Sequence, residues 1–319
     1  MAPNVGVAGS RRTQRGPLAR IGRHFSDGTG FTLLMLLPAL AVLALVIGLP
    51  MLKALQLSFD TIVLRQPRLA GTYGVHNYTR LVTDPQAWSA VVKSALYMTG
   101  TVAGSVVLAL GAAVLTWRVV RMRALARLAF ILPWSVPAVV TALVWGVMYE
   151  PNFGVINRLL DALPGVEGGA WLIDRSTVLP ALIIAQVWNE FPVAYLFFLA
   201  GLHSIPEDLY EAARIDRASA LQQFWFITLP QLRYVTAVIV ILLLIMGFKS
   251  FPIIFILTGG GPAGSTETLT VLTYNTAFRT LDFSYASTLG ILAVGVSLLL
   301  VLLYLRLTRR GTPNADHAV

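Results

Sequence analysis

Six stretches of the sequence are apolar over about 20 residues, the length that a helix needs to cross the hydrocarbon core of a membrane. Only 12% of the 319 residues are charged, whereas a soluble domain carries about 25% and needs them to cover its surface. This composition excludes a soluble enzyme and a disordered chain. The predicted spans cover residues 31–57, 94–117, 128–149, 178–202, 234–257 and 286–305.

The six spans predict an all-α, polytopic membrane protein with six transmembrane helices. We expect an N-terminal tail at 1–30, a transmembrane domain at 31–305 and a C-terminal tail at 306–319. Loops rich in Lys and Arg stay in the cytoplasm. The two tails and the loops after the second and fourth spans contain 15 Lys and Arg, against 7 in the other three loops. Both termini are therefore predicted to lie in the cytoplasm, and the protein in the cell (inner/plasma) membrane.

The chain lacks the motifs of several enzyme classes. No G-x-x-x-x-G-K-[ST] loop occurs, so we expect this chain not to hydrolyse ATP by itself. There is no cysteine, the four histidines are far apart, and no H-E-x-x-H is present, so no metal site is expected. The net charge of +9 suggests basic cytoplasmic loops and a basic tail near anionic lipid, and no nucleic-acid partner is expected.

The loop after the fourth span, residues 203–233, is the most informative segment. Ser204 and Glu207 have the spacing of a capping box, which predicts a helix from Glu207 to Ile215. A break at 216–218 and a second helix at 220–228, ended by Pro230, should follow. This helix pair contains too many apolar residues for a spacer. Either it folds back on the chain's own helix ends or it docks on a partner.

Two charged residues, Glu190 and Lys249, lie within the core of the predicted spans. Each would cost roughly 2.5–3.5 kcal/mol if it faced lipid, so we expect them to face a cavity or each other. Gln186 and Glu190 share a helical face, and Asn189 lies beside it. These polar groups either join helices or bind a solute. A proton-coupled secondary transporter would use Glu190 as a relay, but that interpretation leaves the loop at 203–233 unexplained.

Four of the prolines within or near the third to fifth spans are predicted to interrupt the helical hydrogen-bond ladder. The sequence leaves open whether they are simple kinks or hinges. They are Pro133, Pro137, Pro192 and Pro252.

Four motifs resemble those of the ABC importer permeases of the carbohydrate group, similar to the maltose-type and glycerol-phosphate-type permeases. The first resembles their EAA loop and comprises Glu211, Ala212, Ala213, Asp216, Ala218, Leu229 and Pro230. The others are residues 131–137 (ILPWSVP), 188–192 (WNEFP), and 257–262 (LTGGGP) with 266–268 (TET). The family usually has Gly where this chain has Arg217, so either the turn is not left-handed or it is strained.

The resemblance implies partners and roles for these residues. It implies a second homologous permease, a pair of ATPase subunits that bind ATP and Mg, and an extracytoplasmic solute-binding protein, which is a lipoprotein in some systems. The EAA residues would dock on an ATPase, with Glu211 as a charged contact. The residues that would face the binding protein are Gly259, Gly260, Gly261 and Pro262.

The resemblance also implies positions for a sugar or sugar-like solute. A glycerol-phosphate or polyol-phosphate solute is the alternative within the family, although an anionic solute should require cationic residues in the pore. The solute positions by alignment are Trp134, Ala138, Gln186, Asn189, Glu190, Met246, Gly247 and Ser250.

Overall fold

The structure is a computed structural model that describes residues 29–61, 73–117, 123–165, 168–248 and 250–309. Its regular secondary structure in these ranges is helical, which confirms the predicted all-α class. By contacts between residues the chain divides into two compact units, Met1–Ala54 and Leu55–Val319.

The described part of the first unit is helical and apolar. Helix α1 (Thr29–Leu43) continues through a π-helical turn (Ala44–Gly48) into α2 (Leu49–Ser58). The stretch Met35–Ser58 is long and apolar enough to cross a membrane. Its large apolar side chains are mostly exposed, as expected for a helix in contact with lipid.

The second unit contains the remaining helices. Its first half consists of α3 (His76–Thr83), α4 (Pro85–Trp117), α5 (Arg123–Ser135), α6 (Ala138–Met148), α7 (Val155–Asp161) and α8 (Val178–His203). Its second half consists of α9 (Glu207–Ile215), α10 (Ala220–Gln223), a π-helical turn (Phe224–Thr228), α11 (Leu229–Gln231), α12 (Arg233–Phe248), α13 (Pro252–Thr258), α14 (Leu269–Phe278) and α15 (Phe283–Arg309).

Four of the six predicted spans are continuous helices, and two are broken. The described residues contain four helices that are long and apolar enough to span a membrane, or up to six if each of two bent pairs counts as one. These pairs are Arg127–Ser135 with Ala138–Met148, and Ala220–Gln231 with Arg233–Gly247. The third predicted span bends by 105° between Ser135 and Ala138. The fifth is interrupted between Phe248 and Pro252, so the prediction of one continuous helix at 234–257 is wrong.

Proline explains both breaks, because it has no N–H to donate to the carbonyl four residues earlier. Pro137 precedes α6, and Pro252 is the first residue of α13. Pro133 and Pro192, in contrast, lie inside α5 and α8. Two of the four prolines therefore end helices and two are accommodated within them.

The close packing of α4 against α8 forms the centre of the second unit. Two glycines on α4 allow this approach. A Cβ at Gly100 would lie 2.7 Å from Cδ1 of Ile183, and one at Gly104 would lie 2.8 Å from Cγ2 of Val187. Aromatic and aliphatic side chains of α4, α8 and α12 fill the adjoining core, and Tyr195 and Phe198 are fully buried within it.

Candidate functional site

A buried polar cluster joins three elements where the fifth predicted span is broken. The Oε1 atom of Gln186 on α8 accepts hydrogen bonds from the Tyr97 hydroxyl of α4 at 3.0 Å and the Ser250 hydroxyl at 2.7 Å. Its Nε2 atom donates to Oε1 of Glu190 at 2.6 Å. All four side chains are buried. The cluster ties the break before α13 to α4 and α8.

Glu190 has one satisfied and one unsatisfied oxygen. Its Oε2 atom is buried and has no hydrogen-bond partner among the described residues. Lys249, the other charged residue in the core of the predicted spans, lies outside the described residues, so its pairing with Glu190 stays a prediction. A buried carboxylate oxygen without a donor is costly, which makes Oε2 an acceptor available to a ligand or to a neighbouring cation.

Asn189 faces the other break. Its Nδ2 atom donates to the carbonyl oxygens of Pro133 and Val136, each at 3.2 Å, and to the Thr141 hydroxyl at 3.1 Å. All three acceptors lie at or beside the bend between α5 and α6. The side chain that the sequence placed among solute ligands therefore hydrogen-bonds the backbone of the third span.

The structure does not bring all eight predicted solute residues together. Gln186, Glu190 and Ser250 form one hydrogen-bonded group. Gly247 lies nearby, where a Cβ would sit 3.6 Å from Cγ of Met98, whereas Trp134 is 55% exposed. Ala138 and Met246 are partly buried. Sequence reasoning missed Tyr97 and Thr141, although a hydroxyl in an apolar span is a signal that could have indicated both.

The space beside the cluster is too small for a sugar. A cavity of about 10 Å³ lies between Tyr97, Ser250 and Thr268, which is room for about one water. Small-molecule sites usually measure about 300–1,000 Å³. The cluster is therefore closed in this conformation. Within the described ranges, no group of three or more His, Asp or Glu side chains could hold a metal ion.

Helices α9 and α10 form the helix pair predicted after the fourth span, and α9 has the predicted limits Glu207–Ile215. The predicted capping box at Ser204 is wrong, because this hydroxyl donates to the carbonyl of Gly201 instead. The capping box lies one helix later, at Ser219 and Gln222. Pro230 does not end the second helix either, since it lies in α11.

One face of this helix pair packs inward and the other is open. The Tyr210 hydroxyl is hydrogen-bonded to the Thr228 hydroxyl at 2.9 Å, and the Tyr210 ring lies 5.3 Å from the ring of Trp117. Glu211, Ala212, Asp216 and Pro230 are exposed, and Ala213, Ala218 and Leu229 are partly buried. Large apolar side chains are also exposed, up to 82% for Ile215 and 79% for Phe226. The pair folds back on the chain through Tyr210 and leaves an apolar face exposed, so docking of that face on a partner stays a prediction.

Arg217 occupies the turn between α9 and α10 with φ at +58°. This conformation costs an ordinary L-residue roughly 1–2 kcal/mol, so the turn is left-handed and strained.

Replacing Arg217 by glycine is expected to stabilise the turn by about 1 kcal/mol, because the relief of strain exceeds glycine's entropic cost. Arg214→Gly is the matched control, since Arg214 is helical and glycine there should destabilise by about 1 kcal/mol. Hydrogen exchange of the α9 amides measures both variants. Equal changes in the same direction would contradict the strain at Arg217.

The glycine-rich loop after α13 is a folded turn. Gly259, Gly260 and Gly264 have φ of +59°, +97° and +73°, and the Gly261–Pro262 peptide is cis. The buried Thr266 hydroxyl donates to the carbonyl of Gly261 at 2.6 Å. Glu267 accepts from Gln86 at 2.8 Å and from Asn275 at 3.1 Å, which attaches the loop to α4 and α14. The loop is therefore folded by its own hydrogen bonds and attached to two neighbouring helices.

Comparison with known proteins identifies the family. Residues 105–312 match the family described as the binding-protein-dependent transport system inner membrane component. The trehalose/maltose transport system permease protein MalF of Thermococcus litoralis is 34% identical over 276 residues, which cover 86% of this chain and 92% of that protein. The sulfoquinovosyl glycerol transport system permease protein SmoG of Agrobacterium fabrum is 32% identical, covering 86% and 89%.

A solved structure agrees on the fold. A chain of a bacterial ABC transporter involved in the import of the acidic polysaccharide alginate superposes with a TM-score of 0.76 at 22% identity, covering 92% of this chain and 100% of that one. The resemblance indicated by the four sequence motifs is confirmed. The chain belongs to the family of binding-protein-dependent transport system inner membrane components.

Proposed function

We propose that this chain is the pore subunit of an ATP-driven importer for a sugar or sugar-like solute. The observation that carries the proposal is similarity over 86% of the chain to permeases named for trehalose/maltose and for sulfoquinovosyl glycerol. The fold neighbour named for alginate import also concerns a carbohydrate. The family is one of transport permeases, so we propose no catalytic activity for this chain.

The buried polar cluster supports a hydroxyl-rich solute. Gln186, Ser250 and Tyr97 can each both donate and accept hydrogen bonds, as sugar hydroxyls do, and Oε2 of Glu190 is an unused acceptor. In the closed conformation these groups bond one another. A solute would replace those bonds when the break before α13 opens, so little hydrogen bonding would be lost on binding.

The open face of α9 and α10 supports a separate ATPase partner. Glu211 and Ile215 are four residues apart on α9, so they share one outward face, and both are exposed. An exposed charge beside exposed apolar side chains suits a protein interface better than bulk solvent. The full assembly would contain a second homologous permease, an ATPase pair that binds ATP and Mg, and a binding protein facing the loop at 259–262.

Uptake by the reconstituted transporter tests this function. The complex with its own ATPase and binding protein is placed in liposomes and supplied with radiolabelled neutral sugars, acidic sugars and polyol phosphates. We expect uptake of a sugar that requires both ATP and the binding protein and persists when the proton gradient is collapsed. Uptake driven by a proton gradient without ATP would support a secondary transporter instead, and exclusive uptake of a polyol phosphate would change the solute class.

The proposed orientation places both termini in the cytoplasm, on the basis of the unequal distribution of basic residues. Reporter fusions after Val319 and within 165–176 are expected to report opposite sides of the membrane. An alkaline phosphatase fusion should be active only in the loop, and a fluorescent protein only at the C-terminus. The same side for both positions would contradict the arrangement of six spans.

A further inference from the structure

The bend in the third span leaves backbone carbonyls without their usual helical donors. Pro137 has no N–H, so the carbonyl of Pro133 loses the bond that a continuous helix would supply, and its backbone donor is instead the N–H of Val136 at 3.3 Å. The change of direction by 105° also removes the carbonyl of Val136 from the ladder. The Val136 carbonyl must find another donor, because leaving it unpaired within a membrane is costly.

Asn189 supplies that donor from a different helix. Its Nδ2 atom lies 3.2 Å from both carbonyl oxygens and 3.1 Å from the Thr141 hydroxyl. Three acceptors around one atom identify that atom as the amide nitrogen. An amide has two N–H groups, so its donors are fully used by the third span and none is left for a solute. Only Oδ1 remains available as an acceptor.

The helix that carries Asn189 leads directly to the predicted ATPase-docking segment. Helix α8 runs without interruption from Val178 to His203, and α9 begins at Glu207. Tyr210 on α9 is buried against the same core that contains Tyr195 of α8. A displacement of α9 would therefore move α8. Because Asn189 on α8 is hydrogen-bonded to the bend of the third span, the bend would move with α8.

We infer that Asn189 is a positioning residue that holds the bend of the third span on α8, so that this bend moves together with the docking segment. The inference rests on the proposed function for what the movement achieves. The geometry of the bend is independent of it, because the hydrogen bonds exist whatever the solute is. This role differs from that of a solute ligand, which the sequence alignment suggests for the same residue.

Spin-label distances across the bend test the inference in the complete transporter. The chain has no native cysteine, so Leu128→Cys on α5 and Val147→Cys on α6, both exposed, can be labelled without background in this chain. We expect one narrow distance distribution in the resting wild type. Asn189→Leu should shift or broaden it, and Asn189→Asp should do so more strongly, because a carboxylate repels the carbonyl oxygens. The ratio of the native bend to other arrangements should fall about tenfold, since the carbonyl of Val136 is left without its donor.

Thr141→Val is the matched control, because it removes one acceptor and leaves both carbonyls bonded to Asn189. It should retain the wild-type distribution. Unchanged distances in both Asn189 variants would overturn the inference, and so would equal broadening by Thr141→Val. A changed dependence of uptake on solute concentration with unchanged distances would assign Asn189 to the solute instead. The distances are measured without solute or ATP, so failure of the sugar proposal leaves this test intact.

Discussion

Replacing Gly104 by valine is expected to disrupt the packing of α4 against α8. Even a Cβ at this position would lie 2.8 Å from Cγ2 of Val187. Valine in a helix has one strongly preferred rotamer, so Val187 cannot turn away, and the two helices would have to separate. Overpacking of this kind costs about 1–3 kcal/mol. A lower unfolding temperature of the detergent-solubilised transporter, with reduced yield, measures the effect.

Two other glycines of α4 make this prediction specific. Gly111 has no atom within 4 Å of an added Cβ, so Gly111→Ala should be neutral or stabilising, because alanine is the better helix former. Gly100→Ala should lie between the two, since Cδ1 of Ile183 is the mobile end of a longer side chain. If Gly111→Ala lowers the unfolding temperature as much as Gly104→Val does, the contact with Val187 is not the cause.

Replacing Glu211 by lysine is expected to abolish most uptake while leaving the permease assembled in the membrane. Glu211 is exposed on the outward face of α9, in a motif that resembles the EAA loop. Charge reversal in a docked interface replaces an attraction with a repulsion and commonly costs several kcal/mol. The measurements are uptake into liposomes and the amount of ATPase that co-purifies with the permease. Both should fall together.

Asp174→Lys is the control for Glu211→Lys, because Asp174 is also exposed. Asp174 lies just before the first residue of α8, whereas α9 follows the last residue of α8. It makes the same change in net charge and should retain the ATPase. Normal uptake and normal ATPase retention in Glu211→Lys would show that this side chain does not contribute to docking. Loss of the permease itself in both variants would indicate a general failure of insertion.

The sequence alone determined the class of the fold and the positions of most spans. Hydrophobicity over 20 residues depends on the solvent that a helix meets, so the limits of α8 could be predicted to within a residue. The limits of α9 could be predicted from its local start and stop residues, although the capping box proposed at Ser204 does not form. The family could also be predicted, because the EAA motif and its companions are local patterns. The strain at Arg217 could be anticipated as one of two possibilities, since a non-glycine residue stands at a turn.

Other features depend on contacts between residues distant in the chain. Proline content indicated four possible kinks, but only the structure distinguishes the breaks at Pro137 and Pro252 from the uninterrupted helices around Pro133 and Pro192. At a break, a freed carbonyl can be satisfied by a donor on another helix. For Pro137 that donor is Asn189, 52 positions later in the chain.

The capping box shows the same limit on a smaller scale. Ser204 and Ser219 both have the required spacing, with Glu207 and Gln222 three residues later, and only Ser219 forms the capping box. Ser204 directly follows α8, and its hydroxyl bonds back to the carbonyl of Gly201. Residue types and spacing thus determined which groups could bond. The tertiary structure decided which of them do. A hydroxyl has a single proton to donate, and it can donate that proton only to an acceptor that the fold places within hydrogen-bonding distance.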